Sequence, residues 1–178
     1  PSPLGVQLDS LADDITFGLA PSMILMCYLK PLIGWWSMIA LLMAAFSALR
    51  LAKFNIDERQ TTSFIGLATP PNAIFWGSLV CLLHTLVLPT WLPWVLLGGS
   101  LVSCYLLVCE IPFFSFKSTG KNRRYITLFL EGCVILLVNG IYWAIRHNYI
   151  ELALVAGSAC IVWYIVFNFY TLVDQKRK

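Results

Sequence analysis

The chain has 178 residues and a net charge of +3, with 59% hydrophobic and only 12% charged residues, and its mean hydropathy is +0.78. A soluble domain carries about 25% charged residues, so this composition excludes a soluble globular domain and indicates an integral membrane protein. No basic stripe is interleaved with exposed aromatics, which excludes a nucleic-acid groove.

The first helix carries the strongest chemical signal. Gly5, Asp9 and Asp13 stand at i, i+4 and i+8, so they form one row on a helix. Two carboxylates on one face repel, and an Asp at a membrane helix centre costs roughly 2.5–3.5 kcal/mol, so a balancing cation is expected. Carboxylate oxygens suit Mg²⁺ or Mn²⁺ and leave positions for substrate phosphates. A plainer explanation is a helix start, where acidic residues complement the dipole and Ser10 with Asp13 imitates a capping box. Asp14 lies about 100° round the helix from Asp13 and is expected to face water, headgroups or a basic partner.

Beyond this cluster, apolar stretches run over 15–29, 35–49, 73–88, 91–109, 125–145 and 152–173, each near the roughly 20 residues that cross a bilayer. The expectation is an all-α polytopic bundle of six transmembrane helices in a single domain, 1–178. Breaks are expected at Lys30-Pro31 and Gly34, at Pro70-Pro71, at Pro89 and Pro93, at Pro112, and over 146–148. Threading the helices puts residues 50–69, 110–124 and the tail on one side with Arg50, Lys53, Arg59, Lys117, Lys121, Arg123, Arg124, Lys176, Arg177 and Lys178. The other side keeps only Lys30 and Arg146. By the positive-inside rule the first side is cytoplasmic, so the aspartates face the nucleotide pool. Trp35, Trp36, Trp91, Trp94, Tyr142 and Trp143 sit near helix ends as interfacial anchors.

The six cysteines all fall in apolar segments without a C-x-x-C pair and read as small buried hydrophobes. His84 and His147 are isolated. No phosphate-binding Gly loop, serine-nucleophile motif or internal repeat is present. The opening Pro-Ser-Pro, without an initiator Met, reads as a trimmed or incomplete chain.

The segment from Pro3 to Asp13, with its Gly-x-x-x-Asp-x-x-x-Asp core, resembles the second half of the signature of the CDP-alcohol phosphatidyltransferase family. The upstream half, Asp-x-x-Asp-Gly-x-x-Ala-Arg, has no counterpart here, so the resemblance implies two helices and two metal-binding aspartates before Pro1. Residues 48–55 (Ala-Leu-Arg-Leu-Ala-Lys-Phe-Asn), Phe64-Ile65-Gly66-Leu67 followed by Pro70-Pro71, and residues 111–117 (Ile-Pro-Phe-Phe-Ser-Phe-Lys) are similar to the bacterial phosphatidylserine synthases of that family. Lys53 stands where that group usually has Arg, and Ala68-Thr69-Pro70-Pro71 replaces a more regular Pro-x-Pro.

The resemblance implies an enzyme of phospholipid biosynthesis in the bacterial cytoplasmic membrane that transfers the phosphatidyl group of CDP-diacylglycerol to L-serine, releasing CMP, with Mg²⁺ or Mn²⁺. It implies Asp9 and Asp13 as metal ligands, Asp13 as general base, and Gly5 and Asp9 at the nucleotide. Arg50, Lys53 and Asn55 are the acceptor-binding candidates, Arg50 because its planar fork matches a carboxylate, and Lys117 is a candidate contact to the diphosphate or to lipid. A homodimer is implied by the same resemblance. Two alternatives stand beside this: another acceptor, such as glycerol 3-phosphate or an inositol phosphate, and ion transport through an Asp9–Asp13 site. The short cationic set at 50–55 suits a carboxylate better than a phosphorylated acceptor, and the acidic cluster lies at a helix start rather than the midplane transporters favour.

The charge asymmetry generates a direct test. Single-cysteine probes at positions 59 and 121 are expected to resist a membrane-impermeant thiol reagent in intact cells, while probes at 30 and 146 react. The opposite pattern inverts the topology.

Overall fold

The computed structural model of the chain describes residues 2–56, 64–84, 89–110, 112–113, 130–134, 138, 141–142, 145 and 159–167. Helix α1 spans Pro3–Asp13, α2 Ala20–Ile33, α3 Leu42–Ile56, α4 Thr69–Leu83 and α5 Leu92–Val108, and two short strands, β1 Phe64–Ile65 and β2 Pro112–Phe113, form an antiparallel ladder. A π-helical segment, Asp14–Leu19, joins α1 to α2, and a 3₁₀ segment, Gly34–Leu41, joins α2 to α3. The architecture is all-α, with the ladder as a two-residue clasp.

Pro3–Ile56 is a single helical run long and apolar enough to cross a membrane, but it is not one rod. Gly34 adopts φ 59° and ψ −132°, a conformation that a side chain would strain, and there the chain reverses. The 3₁₀ segment folds against α2, and α3 runs back against Asp14–Leu19 and α1. Each arm exceeds the roughly 20 residues a span requires. The turn therefore falls at Gly34, one of the expected breaks, while Pro31 of the expected Lys30-Pro31 break is accommodated inside α2. Two further expectations shift in the same way. Arg50, Lys53 and Asn55 are in helix α3 rather than a loop, and Pro70-Pro71 open α4 instead of separating elements, since proline's missing N–H costs nothing in a first turn. Helices α4 and α5 occupy the third and fourth expected spans. The fifth and sixth lie largely outside the described residues, of which 130–134 and 159–167 are helical.

The exterior of this bundle is apolar, unlike that of a soluble domain: Leu4, Leu8, Leu11, Ile15, Val95 and Val102 face outward, while small polar residues, Ser22, Ser37, Ser47, Thr69, Asn72, Ser78, Ser100 and Ser103, are among those buried. Small hydroxyl side chains let helices approach closely and satisfy themselves on backbone carbonyls: Ser78 donates to Ile74 O at 2.6 Å and Ser100 to Leu97 O at 2.7 Å. Between these polar positions lies a core of Leu25, Leu29, Met43, Trp76, Leu96 and Leu107. Two hydrogen bonds tie the helices across it: Trp76 Nε1 donates to Ser103 Oγ at 3.0 Å, and Tyr28 OH to Leu83 O at 3.3 Å. Trp35, Trp36, Trp91 and Trp94 are exposed together at the Gly34 end, with Trp36 and Trp94 6.3 Å apart, as an interfacial aromatic belt requires.

At the other end, Gly66 closes the bundle. Its φ is 76°, and the next residue, Leu67, donates from its backbone N to Leu106 O at 2.8 Å, so the Phe64–Leu67 stretch satisfies a carbonyl left open at the end of α5. A Cβ on Gly66 would lie 2.8 Å from Leu107 O and 3.0 Å from Cys109 O. Gly66→Ala is expected to destabilise by about 1–3 kcal/mol, lowering the melting temperature in detergent by several degrees. Gly77→Ala and Gly98→Ala, where a Cβ meets open space, should be neutral or slightly stabilising because Ala favours helix over Gly. Equal melting temperatures for all three variants would remove Gly66 from this role.

Candidate active site

Helix α1 is capped by Ser2, whose Oγ accepts from Gly5 N at 3.1 Å, and its first turn contains no acidic residue. Asp9 and Asp13 therefore lie in later turns, and neither helix-dipole compensation nor a Ser10 capping box accounts for them. Asp9 is exposed and Asp13 half-buried, with Gly5 exposed one turn before Asp9. The row Gly5, Asp9, Asp13 forms an open strip of backbone followed by two oxygen donors. That donor chemistry fits a hard divalent cation as part of a ligand set. Among the described residues no group of three or more His, Cys, Asp or Glu gathers to hold a metal, so α1 contributes two carboxylates of such a set.

Helix α3 supplies the facing wall, and two observations set its register. Asn55 Nδ2 donates to Ser10 Oγ at 2.8 Å, and Ser47 stands against Gly18, whose added Cβ would lie 2.8 Å from Ser47 Oγ. Arg50, one turn from Ser47 and on the same face, is thus level with Asp13 and Asp14. It is only 7% exposed, whereas a guanidinium serving topology or snorkelling would reach for water or headgroups. Its Nε is buried without a hydrogen-bond partner, and Tyr164 from the 159–167 helix stands within electrostatic reach. Lys53 points elsewhere, exposed and 4.0 Å from Glu110 Oε1, a surface pair worth little in stability.

The structure corrects one expectation outright. Asp14 does not face water or headgroups: its Oδ1 is buried without a hydrogen-bond partner, against Gly18 and beside Ser47. Asp13 and Asp14 both have α-helical dihedrals (φ −62°, ψ −41° and φ −67°, ψ −40°), so the 100° step between them holds; the face it reaches is covered by α3 at Ser47 instead of by water. Ser22 Oγ donates to Gly18 O at 2.9 Å and to Leu19 O at 2.8 Å, which stabilises the π-helical turn from inside. Asn72 joins this polar zone from the first turn of α4, an element packed against Asp14–Leu19. It is 2% exposed, and both its amide atoms lack partners. Gly18, Ser47 and Asn72 escaped the sequence reading. The signal was faint: an Asp-x-x-x-Gly step on one helix opposite a Ser-x-x-Arg step on another.

Four family-like stretches thus converge on one end of the bundle: the Gly5–Asp13 row, the 49–55 turn of α3, the Phe64–Leu67 clasp and the β2 strand that pairs with it. Lys117 lies outside the described residues. A cavity of about 760 Å³, lined by Cys27, Tyr28, Leu83 and His84 among others, opens at the opposite end, about 22 Å of helix from Asp13, and contains none of these groups.

Comparison with known proteins bears on the same residues. A family model described as CDP-alcohol phosphatidyltransferase matches residues 1–116. A CDP-diacylglycerol–serine O-phosphatidyltransferase of Bacillus subtilis (strain 168) is 38% identical over 125 residues, covering 68% of this chain and 65% of the relative. One of the same name from Helicobacter pylori (strain J99 / ATCC 700824) is 34% identical over 137 residues, covering 72% and 56%. A third, from Mycobacterium leprae (strain TN), is 27% identical over 166 residues, covering 84% and 54%. The chain spans between about half and two thirds of the length of these three relatives. No solved structure matches it.

Proposed function

This chain belongs to the CDP-alcohol phosphatidyltransferase family, and from that premise we propose that it transfers the phosphatidyl group of CDP-diacylglycerol to L-serine, yielding phosphatidylserine and CMP. The observation that carries this reading is the Arg50 guanidinium, buried with an unpartnered Nε at the level of the two α1 carboxylates. A buried donor of this kind is costly unless something binds it, and a carboxylate-bearing acceptor supplies that partner. The names of the relatives support serine over glycerol 3-phosphate or an inositol phosphate as the acceptor.

In this reading the serine hydroxyl oxygen attacks the phosphorus that carries diacylglycerol. The bond from that phosphorus to the bridging oxygen breaks, CMP leaves with the oxygen, and the hydroxyl proton passes to Asp13. Asp9 and Asp13 would hold Mg²⁺ or Mn²⁺, which when bound neutralises charge on the diphosphate. Gly5 leaves α1 bare where the nucleotide lies. Arg50 orients the serine carboxylate, Lys53 and Asn55 are secondary acceptor contacts, and Lys117 is assigned to the diphosphate or lipid by the family resemblance of residues 111–117. The full topology of this proposal has six spans in this chain with the site facing the cytoplasm, and the complete enzyme is a homodimer in the inner membrane.

The test is CMP release by the full-length protein from CDP-diacylglycerol with serine, glycerol 3-phosphate or inositol phosphate. Serine-dependent release is expected; release with a phosphorylated acceptor and none with serine overturns the assignment. EDTA is expected to abolish turnover, and Mg²⁺ or Mn²⁺ to restore it. Asp9→Asn and Asp13→Asn should each lower kcat by about a hundredfold or more while the melting temperature is retained. Near-normal turnover in either variant removes that residue from the site.

Arg50 generates a separate expectation. Arg50→Ala should raise the serine KM about ten- to a hundredfold, the equivalent of one charge-assisted hydrogen bond of about 1.5–3 kcal/mol, and leave the CDP-diacylglycerol KM within about twofold. Arg50→Lys, which keeps charge but loses the planar fork, should fall between. A raised lipid KM with an unchanged serine KM would reassign Arg50 to the diphosphate.

A further inference from the structure

The acceptor is a zwitterion, and Arg50 answers only half of it. One turn of α3 away, a second set of polar atoms lies unsatisfied. Asp14 Oδ1 and Ser47 Oγ are both buried and complete no well-aligned hydrogen bond, although they stand close enough to interact with each other, and both crowd the space over Gly18, where an added Cβ would strike the carboxylate and lie 2.8 Å from the hydroxyl. Ser47 is fully buried. Asn72, from the helix packed on the same segment, leaves its Oδ1 and Nδ2 unpartnered as well.

These atoms share a chemistry. A carboxylate, a hydroxyl and an amide oxygen can all accept from one cationic donor, and a buried carboxylate left without such a donor is heavily penalised. Arg50 leaves its own Nε unmatched on the neighbouring turn, and among the described residues it forms no ion pair with Asp14, so the two charges do not cancel each other. Negative and positive groups held apart at one level, on facing helices, complement a small molecule that carries both signs.

We propose that Asp14, set against Ser47 over the bare backbone of Gly18, binds the α-ammonium group of the acceptor and so selects an amino acid over an alcohol without an amine. This rests on the acceptor reading given above. The 100° step from Asp13 to Asp14 puts the two carboxylates on different faces, which separates the ammonium subsite from the diphosphate. Gly18 contributes by its missing side chain, since the carboxylate and the hydroxyl pack directly on its backbone and any Cβ there would strike both.

The test compares serine with 3-hydroxypropionate, which keeps the hydroxyl and carboxylate but lacks the ammonium, using the full-length protein and CMP release. Asp14→Asn is expected to raise the serine KM about ten- to a hundredfold, as expected for the loss of one charged contact. The inhibition constant of 3-hydroxypropionate and the CDP-diacylglycerol KM should stay within about twofold. Should Asp14→Asn fail to fold, Ser47→Ala and Gly18→Ala carry the test, each expected to raise the serine KM at least threefold with the other two constants unmoved. An unchanged serine KM in the variants that fold overturns the proposal, as does a parallel loss of affinity for both acceptors. Failure of the underlying reading has a different signature, because a wild-type protein that releases no CMP with serine fails before Asp14 is altered.

Discussion

A bilayer offers a polar group no water to bond, so every polar atom inside this bundle must be satisfied by the protein or by what it binds. That constraint separates the buried polar side chains into two kinds. Ser22, Ser37, Ser78 and Ser100 return their hydroxyls to carbonyls within one turn, and Trp76 and Ser103 satisfy each other; these hold the structure together. Asp14 Oδ1, Ser47 Oγ, Arg50 Nε and both Asn72 amide atoms have no such partner. They lie on Asp14–Leu19 and on α3 and α4, which both pack against it, whereas Trp163 Nε1, also without a partner, lies apart from them against Gly132.

The same constraint explains the backbone devices around the site. Gly34 reverses the chain so that α3 returns alongside α1, bringing Asn55 to Ser10 across 45 residues of sequence. Gly66 turns beneath the end of α5 and, through Leu67, caps it from the backbone. Both reversals use left-handed glycine conformations, which cost no side-chain clash. The π-turn at Asp14 is the third device, and Ser22 props its loosened carbonyls. Wider turns of this kind recur at functional positions.

Exposure is divided along α1 and α3. The strip of Gly5 and Asp9 is exposed, with Asp13 half-buried beyond it. Ser47 and Arg50 are buried, where desolvation strengthens each charged contact. Asp13 and Asp14 are adjacent in sequence and meet different surroundings, because one 100° helical step separates them and Ser47 of α3 stands beside Asp14.

The sequence by itself determined the membrane class, the helical architecture, the Gly5–Asp9–Asp13 row and the family, because hydropathy, i to i+4 spacing and short motifs are properties of neighbouring residues. It also singled out Arg50 by its place in the 49–55 stretch. It misjudged Asp14, since the 100° step fixes which way a side chain points and not what packs there, and it named Lys30-Pro31 beside Gly34 as a break although only Gly34 reverses the chain, since proline's preference for breaks is local while the packing of α2 on its return arm is not. Whether Arg50 is buried, whether Ser47 opposes Gly18, and whether Asn72 lacks a partner are matters of contact between distant residues. Those were decided only in the tertiary structure, where α3 and α4 pack against Asp14–Leu19 and residues far apart in sequence become neighbours.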